Sequence, residues 1–182
     1  MNTVKTAADV LAFWRGAGED KWFEKSEDFD RDCRENFLGT YEAAASGQLS
    51  DWQQTPDGAL ALVIVLDQFP RNMFRNDPRA FATDPLALEV ARRAILSGFD
   101  RQVAHDLVPF LYLPFEHSEN IADQRRSVDL FAEHGDENNL KYAEIHRNII
   151  ERFGRFPHRN AVLGRQTTPE EKAFLDEGGF SG

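Results

Sequence analysis

The sequence predicts an all-α protein, and three observations lead to this class. Apolar residues recur at three- and four-residue spacing along much of the chain, as on one face of a helix. Capping residues such as Ser, Thr and Asp stand before several of these runs, often next to a proline, which is typical of helix starts. Few stretches read as strands. We expect about eight helices in antiparallel pairs, in a single domain over residues 1–182, with its core at about 6–177 and a flexible tail at 178–182.

Caps and apolar stripes define the first two helices. Thr6 is expected to cap a helix that ends at Gly16 or Gly18. Ser26 opens a longer helix that ends near Gly47. Its buried stripe is predicted at four-residue spacing and consists of Phe29, Cys33, Phe37 and Tyr41.

The central run is apolar on every side. Periodicity alone would also allow a buried strand over Ala59–Leu66. Thr55 is a good cap, and Pro56 is pre-organised for the first helical position. These signals, together with the length of the segment, which extends to Gln68, favour a central helix.

Five more helix starts follow. Asp77-Pro78 and Asp84-Pro85 each predict one. The segments Asn120–Glu133 and Glu137–Phe153 carry helical stripes, and their short connection predicts antiparallel packing. Thr168 caps the last helix, in which proline and two acidic residues follow.

Composition excludes several classes of protein. The formal net charge of −10 opposes binding to phosphate backbones, so we expect no nucleic-acid partner. No apolar run reaches the length needed to span a bilayer, and one cysteine, Cys33, fits a reducing compartment. We therefore expect a cytoplasmic protein with no membrane partner. The spacings of zinc and di-iron sites and of phosphate-binding loops are absent, so neither a metal nor a cofactor is expected.

Two similar phrases each follow a helical run. They are Phe69-Pro70-Arg71-Asn72 and Phe156-Pro157-His158-Arg159-Asn160. Proline disfavours helical geometry in the residue before it, so Phe69 and Phe156 are predicted helix ends, with the arginines near the negative helix terminus. The alternative is functional, with both corners presenting donors to one anion beside the further cations Arg75, Arg155 and Arg165.

A third segment, Pro109–His117, ends in a carboxylate and an imidazole. Pro114 is expected to kink this buried helix and to direct Glu116 and His117 into a cleft. The pair suits general acid–base chemistry, and a buried ion pair between Glu116 and an arginine is the structural alternative. His146, at the edge of an apolar stripe, is interpreted as a hydrogen-bonded core residue.

Three motifs in order carry a family resemblance. They are Asp67-Gln68-Phe69-Pro70-Arg71-Asn72, Phe110-Leu111-Tyr112-Leu113-Pro114-Phe115-Glu116-His117-Ser118-Glu119 and Gly154-Arg155-Phe156-Pro157-His158-Arg159-Asn160. From about Val10 to Leu175 the chain resembles the bacterial domain-of-unknown-function family 924. The resemblance implies an all-helical fold similar to tetratricopeptide-repeat proteins, a right-handed array of helix pairs around a concave face. It implies no reaction, and the 34-residue repeat signature of those proteins is not visible in the sequence.

The leading functional hypothesis is a concave pocket that holds a small anionic ligand or a peptide carboxylate. We expect the three motif corners to meet there. An enzyme using His117, His158 or Glu116 for acid–base catalysis is the first alternative, and a protein-interaction scaffold is the second. The sequence predicts no oligomeric state. The candidate binding residues are Arg71, Asn72, Glu116, His117, Arg155, His158, Arg159 and Asn160.

Overall fold

The computed structural model describes residues 3–22 and 24–180, and their regular structure is entirely helical. This confirms the all-α prediction. Of the predicted tail, residues 181–182 lie outside the described part. Nine helices, apart from short 3₁₀ turns, follow one another in the described ranges: α1 Ala7–Ala17, α2 Glu19–Trp22, α3 Glu27–Ala45, α4 Pro56–Val63 continuing through Ile64–Gln68 and Phe69–Met73, α5 Asp84–Leu96, α6 Pro109–Glu116, α7 Ile121–His134, α8 Glu137–Phe153 and α9 Pro169–Asp176.

Most predicted helix starts are confirmed. A cap depends on hydrogen bonds between residues that are close in the sequence, so the sequence alone reveals it. At Thr6 and Thr168 the hydroxyl accepts from the third helical N–H, and an acidic side chain there bonds back to the cap N–H. Ser26 Oγ accepts from the N–H of Phe29 at 3.3 Å. The Asp77-Pro78 start is an exception, since only the four-residue 3₁₀ turn Pro78–Phe81 follows it.

The chain contains two compact units. Unit 1 contains the residues up to Arg75 together with Arg79–Pro114, and unit 2 contains Asn76–Pro78 with the residues from Phe115 onward. The predicted domain thus has two internal units. The tetratricopeptide-like arrangement stays a prediction.

An aromatic core holds unit 1 together. Trp14 is fully buried and meets the rings of Phe69 at 5.8 Å and Phe110 at 5.3 Å. The predicted stripe of α3 is confirmed, because all four of its members are buried. Burial of each such aromatic ring contributes about 1.5–3 kcal/mol.

Helix α4 continues through Pro70, so the predicted helix end at Phe69 is wrong. A π turn over Ile64–Gln68 precedes the proline, and the N–H of Phe69 bonds to the carbonyl of Ile64. Proline supplies no N–H to the carbonyl of Leu66, and Thr83 Oγ1 donates to that oxygen at 2.6 Å. A side chain outside the helix thus provides the hydrogen bond that Pro70 cannot.

Unit 2 contains a tightly connected helix pair. Helices α7 and α8 pack on each other, and only Gly135 and Asp136 connect them, so they run antiparallel as predicted. Gly135 is left-handed with φ 84°, which glycine adopts at little cost, and Asp136 caps α8. The core of this unit is built on Ile149, Ile150 and Phe156, with partly buried rings from the C-terminal part of the chain.

None of the helices in the described residues combines the length and the apolar character that a membrane crossing requires.

Candidate functional site

The first candidate corner pairs with carboxylates inside unit 1. Arg71 donates to both oxygens of Asp84 at 2.8 and 2.9 Å and to the carbonyl of Asp67 at 2.6 Å. Burial disfavours the charge, but the two carboxylates outweigh it and raise the pKa of Arg71. Asn72 donates to Asp30 at 2.9 Å. Both candidates therefore stabilise unit 1 from within.

The second phrase takes a different conformation from the first. Helix α8 ends at Phe153, where Gly154 is left-handed with φ 70°, three residues before the predicted end at Phe156. Phe156 is extended, and a 3₁₀ turn follows over Pro157–Arg159. Two nearly identical motifs thus occur inside a helix in one unit and beyond a helix end in the other.

Glu171 gathers two of the candidate residues. Its carboxylate accepts from Arg155 at 2.6 and 2.9 Å, from Asn160 Nδ2 at 3.1 Å and from the N–H of Thr168 at 2.8 Å. The hydrogen bonds from Arg155 are the largest of the effects that lower the pKa of Glu171 to about 2. Arg155 and Asn160 therefore attach α9 to the corner at Phe156.

Glu119 joins the second motif to the third within unit 2. It accepts from Arg165 at 2.8 and 3.0 Å and from the N–H of Phe156 at 2.8 Å. Burial alone would raise the pKa of Glu119, but these hydrogen bonds and the positive charges of Arg165 and Arg159 outweigh burial and hold the pKa below its ordinary value. Two of the three predicted corners are therefore in direct contact. Arg71 and Asn72 belong to unit 1, and a pocket shared by all three corners stays a prediction.

Glu116 lies against His146, a residue that the sequence assigns only to the core. Glu116 Oε1 is 3.2 Å from His146 Nδ1, and the carbonyl of Tyr142 is 2.8 Å from the same nitrogen. Carbonyl and carboxylate oxygens both accept, so Nδ1 carries the hydrogen and Nε2 has a free lone pair when the ring is neutral. His146 is 6% exposed, which confirms the interpretation as a hydrogen-bonded core residue.

His146 stays neutral at physiological pH. Burial is the main cause that lowers its pKa to about 3, although the bond to Tyr142 acts in the opposite direction. The charge of Arg159, and those of His117 and His158 when they are protonated, lower the pKa of His146 further, so these three side chains lie within electrostatic range of the ring.

The ring of Phe156 is the common neighbour of His146, His158 and Arg159. The Arg159 guanidinium carbon lies 4.5 Å from the ring centroid, and the rings of His146 and His158 lie at 5.4 and 5.6 Å. Phe156 itself is fully buried. His117 and His158 are half-buried, whereas Arg159 is 7% exposed. We call these five residues the Phe156 cluster: Phe156, His117, His146, His158 and Arg159.

The eight candidates therefore separate into three sets. Arg71 and Asn72 pair inside unit 1, and Arg155 and Asn160 bind Glu171. The remaining four gather around the Phe156 ring and His146: Glu116, His117, His158 and Arg159. Sequence reasoning missed Glu119 and Glu171 as partners, because their arginines are 46 and 16 residues away along the chain.

A surface cavity of about 610 Å³ lies in unit 1. It is formed by the 3₁₀ turn Ser50–Gln54 and by Arg93, Leu96 and Ser97 at the end of α5, and it contains none of the candidates. In the part of the chain that the structure describes, no three or more His, Cys, Asp and Glu side chains group as a metal site.

Comparisons with known proteins match most of the chain. A family model described as a bacterial protein of unknown function (DUF924) matches residues 10–179. The fold is similar to a solved structure of the protein of unknown function ATU0120 from Agrobacterium tumefaciens, with a TM-score of 0.92 and 50% sequence identity. That similarity covers 94% of this chain and 97% of the other. None of the curated proteins matches the chain.

Proposed function

The chain belongs to the DUF924 family of bacterial proteins of unknown function, and we propose that it binds a small anionic ligand or a peptide carboxylate in unit 2. The binding groups are Arg159, His158 and His117 of the Phe156 cluster. The single observation that supports this most is the convergence of Arg159, His158 and the core residue His146 on the buried ring of Phe156.

The local charge balance favours an anion. Glu119 is paired with Arg165 through two hydrogen bonds, and a second carboxylate, that of Glu116, lies 3.2 Å from His146 Nδ1. Arg159 is always charged and offsets that second carboxylate. Protonation of a half-buried imidazole then adds a net positive charge, and histidine is the side chain that gains charge near neutral pH. Anion binding should therefore strengthen as the pH falls from 8 to 6.

The surroundings supply rigidity. Glu119 links Phe156 to the preceding motif, and Arg155 links the same corner to α9 through Glu171. Groups held in place by such contacts lose less entropy on binding a ligand. Arg155 and Asn160 thus contribute to binding by positioning the corner.

The test is an NMR titration with acetate at pH 6.5, which compares the wild type with His158→Gln. A charge-assisted hydrogen bond contributes roughly 1.5–3 kcal/mol, so we expect affinity to fall by about tenfold or more. His134→Gln is the matched control, because His134 is also half-buried in unit 2 but lies at the far end of α7.

Arg159→Gln should weaken binding further, and its folded state is checked by circular dichroism because Arg159 is buried. Equal affinity for acetate in the wild type, His158→Gln and folded Arg159→Gln would contradict the proposal.

A second candidate function, acid–base catalysis, is favoured by the contact of Glu116 with His146. A carboxylate beside Nδ1–H leaves Nε2 of a neutral ring as a proton acceptor, which is the arrangement of a general base, but the pKa of about 3 that burial gives His146 makes this ring a weak base. This assigns the base to His146, whereas the sequence suggests His117 or His158.

Hydrolysis of p-nitrophenyl acetate, an activated ester with an easily measured product, provides a first test. We expect His146→Gln to lower the rate by about 100-fold if His146 acts as the base, and His134→Gln to leave it unchanged. Equal rates in the two variants and the wild type would exclude this chemistry.

We also propose a cytoplasmic location. Its support is the single cysteine, which is free and buried. Burial raises the pKa of Cys33 to about 12, so the thiol is unreactive. Cell fractionation with an antibody tests the location, and recovery in the periplasmic fraction would contradict it.

A further inference from the structure

Phe180, near the C-terminal end, packs directly on the Phe156 cluster. Its ring centroid lies 4.4 Å from that of His146 and 5.6 Å from that of His158, with interplanar angles of 62° and 74°. Both are edge-to-face contacts, which aromatic rings favour. Phe180 is partly buried against the core of Ile149, Ile150 and Phe156. This stretch is predicted to be a flexible tail, yet its aromatic side chain lies on the candidate site.

The link that carries Phe180 is built from two glycines. Gly178 is left-handed with φ 82°, and the N–H of Gly179 bonds to the carbonyl of Phe174 at 2.9 Å. A Cβ added to Gly179 would lie 2.5 Å from that carbonyl oxygen and 2.6 Å from the Phe174 ring. Only glycine fits this turn, which returns the chain from the end of α9 toward the cluster. The same two residues provide the backbone freedom for the turn to open.

The chemistry around the Phe180 ring suits an aromatic group. His146 is neutral because its pKa is lowered to about 3, mainly by burial, so it presents an uncharged ring to its neighbour. The ring of His158 also contacts Phe180, and the ring of Phe156 lies 5.4 Å from that of His146. The cation of Arg159 is beside the same Phe156 ring. A ligand ring at the position of Phe180 would therefore lie in the same cluster as the positive charge of Arg159.

We propose that Phe180 occupies the subsite for the apolar part of the ligand, so that the site takes an aryl carboxylate and releases Phe180 when this ligand binds. The inference rests on the proposed function and narrows its ligand class. The aryl ring replaces Phe180 against His146 and His158, and the carboxylate pairs with Arg159. Because Phe180 competes with the ligand, the affinity of the wild type is reduced by the fraction of molecules in which the subsite is occupied.

The experiment measures phenylacetate and acetate affinities by NMR titration of the wild type and Phe180→Ala. We expect Phe180→Ala to bind phenylacetate about tenfold more tightly than the wild type, since it removes the competing ring. Acetate, which has no ring, should bind both proteins alike. Phe153→Ala is the matched control, because Phe153 packs against the same core and meets Phe174 at 5.1 Å. It should leave the phenylacetate affinity unchanged.

A second variant, Gly179→Ala, tests the same subsite without removing an aromatic ring. Its Cβ collides with Phe174 and displaces Phe180 without removing that side chain, so it should give a similar gain in phenylacetate affinity. If neither Phe180→Ala nor Gly179→Ala binds phenylacetate more tightly than the wild type, or if Phe153→Ala gains as much, the subsite is wrong. Acetate binding that depends on His158 would still support the proposed function in that case. Absence of binding by either probe in every protein would contradict both.

Discussion

Replacing Glu171 by glutamine tests whether Arg155 and Asn160 have a structural role. The carboxylate accepts four hydrogen bonds, two of them from Arg155 at 2.6 and 2.9 Å. Glutamine retains one acceptor oxygen, and its amide N–H₂ faces a guanidinium that also donates. Each of the two charge-assisted bonds contributes roughly 1.5–3 kcal/mol, against about 1 kcal/mol for a neutral bond. Partial exposure of Arg155 reduces the difference, so we expect a loss of about 2–3 kcal/mol.

Urea unfolding at pH 7, followed by circular dichroism, measures this loss. In a thermal melt it corresponds to a fall in Tm of about 4–12 °C. Glu170→Gln is the matched control, because Glu170 is the adjacent residue and has an exposed partner, Arg152, at 3.1 Å. An exposed pair of this kind contributes at most about 1 kcal/mol. If the two variants differ by less than about 0.5 kcal/mol, Glu171 does not hold the corner as we describe.

The pH dependence of the free energy of unfolding provides an independent test of the role of Glu171. The pKa of Glu171 is lowered to about 2 in the folded protein, chiefly by Arg155, from an ordinary value of 4.5. A lowered carboxyl pKa stabilises the fold fully above pH 4.5, and this stabilisation is lost as the pH falls toward 2. The stability difference between the wild type and Glu171→Gln should therefore shrink across that window. A difference that stays constant from pH 6 to pH 3 would contradict the assignment.

Three further substitutions test the fold and the buried histidine. Thr83→Val removes the donor that compensates for Pro70, and urea unfolding should report a loss of about 1–3 kcal/mol; a neutral result would contradict that role. Gly58→Ala puts a Cβ 2.2 Å from a backbone oxygen and should destabilise by about 2 kcal/mol in the same assay, whereas Gly16→Ala meets nothing within 4 Å and should be neutral or stabilising. Burial is the main cause that lowers the pKa of His146, so the folded protein loses stability as the pH falls from 6.5 toward 3. Between these values, the stability of the wild type relative to His146→Gln should fall by about 1.4 kcal/mol per pH unit. A stability difference that does not change with pH would contradict the neutral ring.

The helix starts could be predicted because the determining contacts are local. Thr6 and Thr168 bond to groups three residues away, and the stripe of α3 follows from its own spacing. The end of α4 could not be predicted from its own residues. Pro70 alone indicates a stop, but Thr83, 17 residues from Leu66, supplies the hydrogen bond that lets the helix continue.

The candidate site was predictable in part for the same reason. The motif positions identify Glu116, His158 and Arg159, but their partners come from distant parts of the chain. His146 is 30 residues from Glu116, and nothing local indicates that they meet. Phe180 follows two glycines that are typical of a chain end, so its packing on the cluster also depends on tertiary structure.

The most direct measurement is the NMR titration of the histidine side chains of the wild type with acetate. We predict saturable shifts in the ring signals of His158 and His117, with no comparable shift at His134, which lies at the far end of α7 and serves as an internal control. The absence of a saturable shift at His158, or an equal shift at His134, would contradict anion binding at the Phe156 cluster.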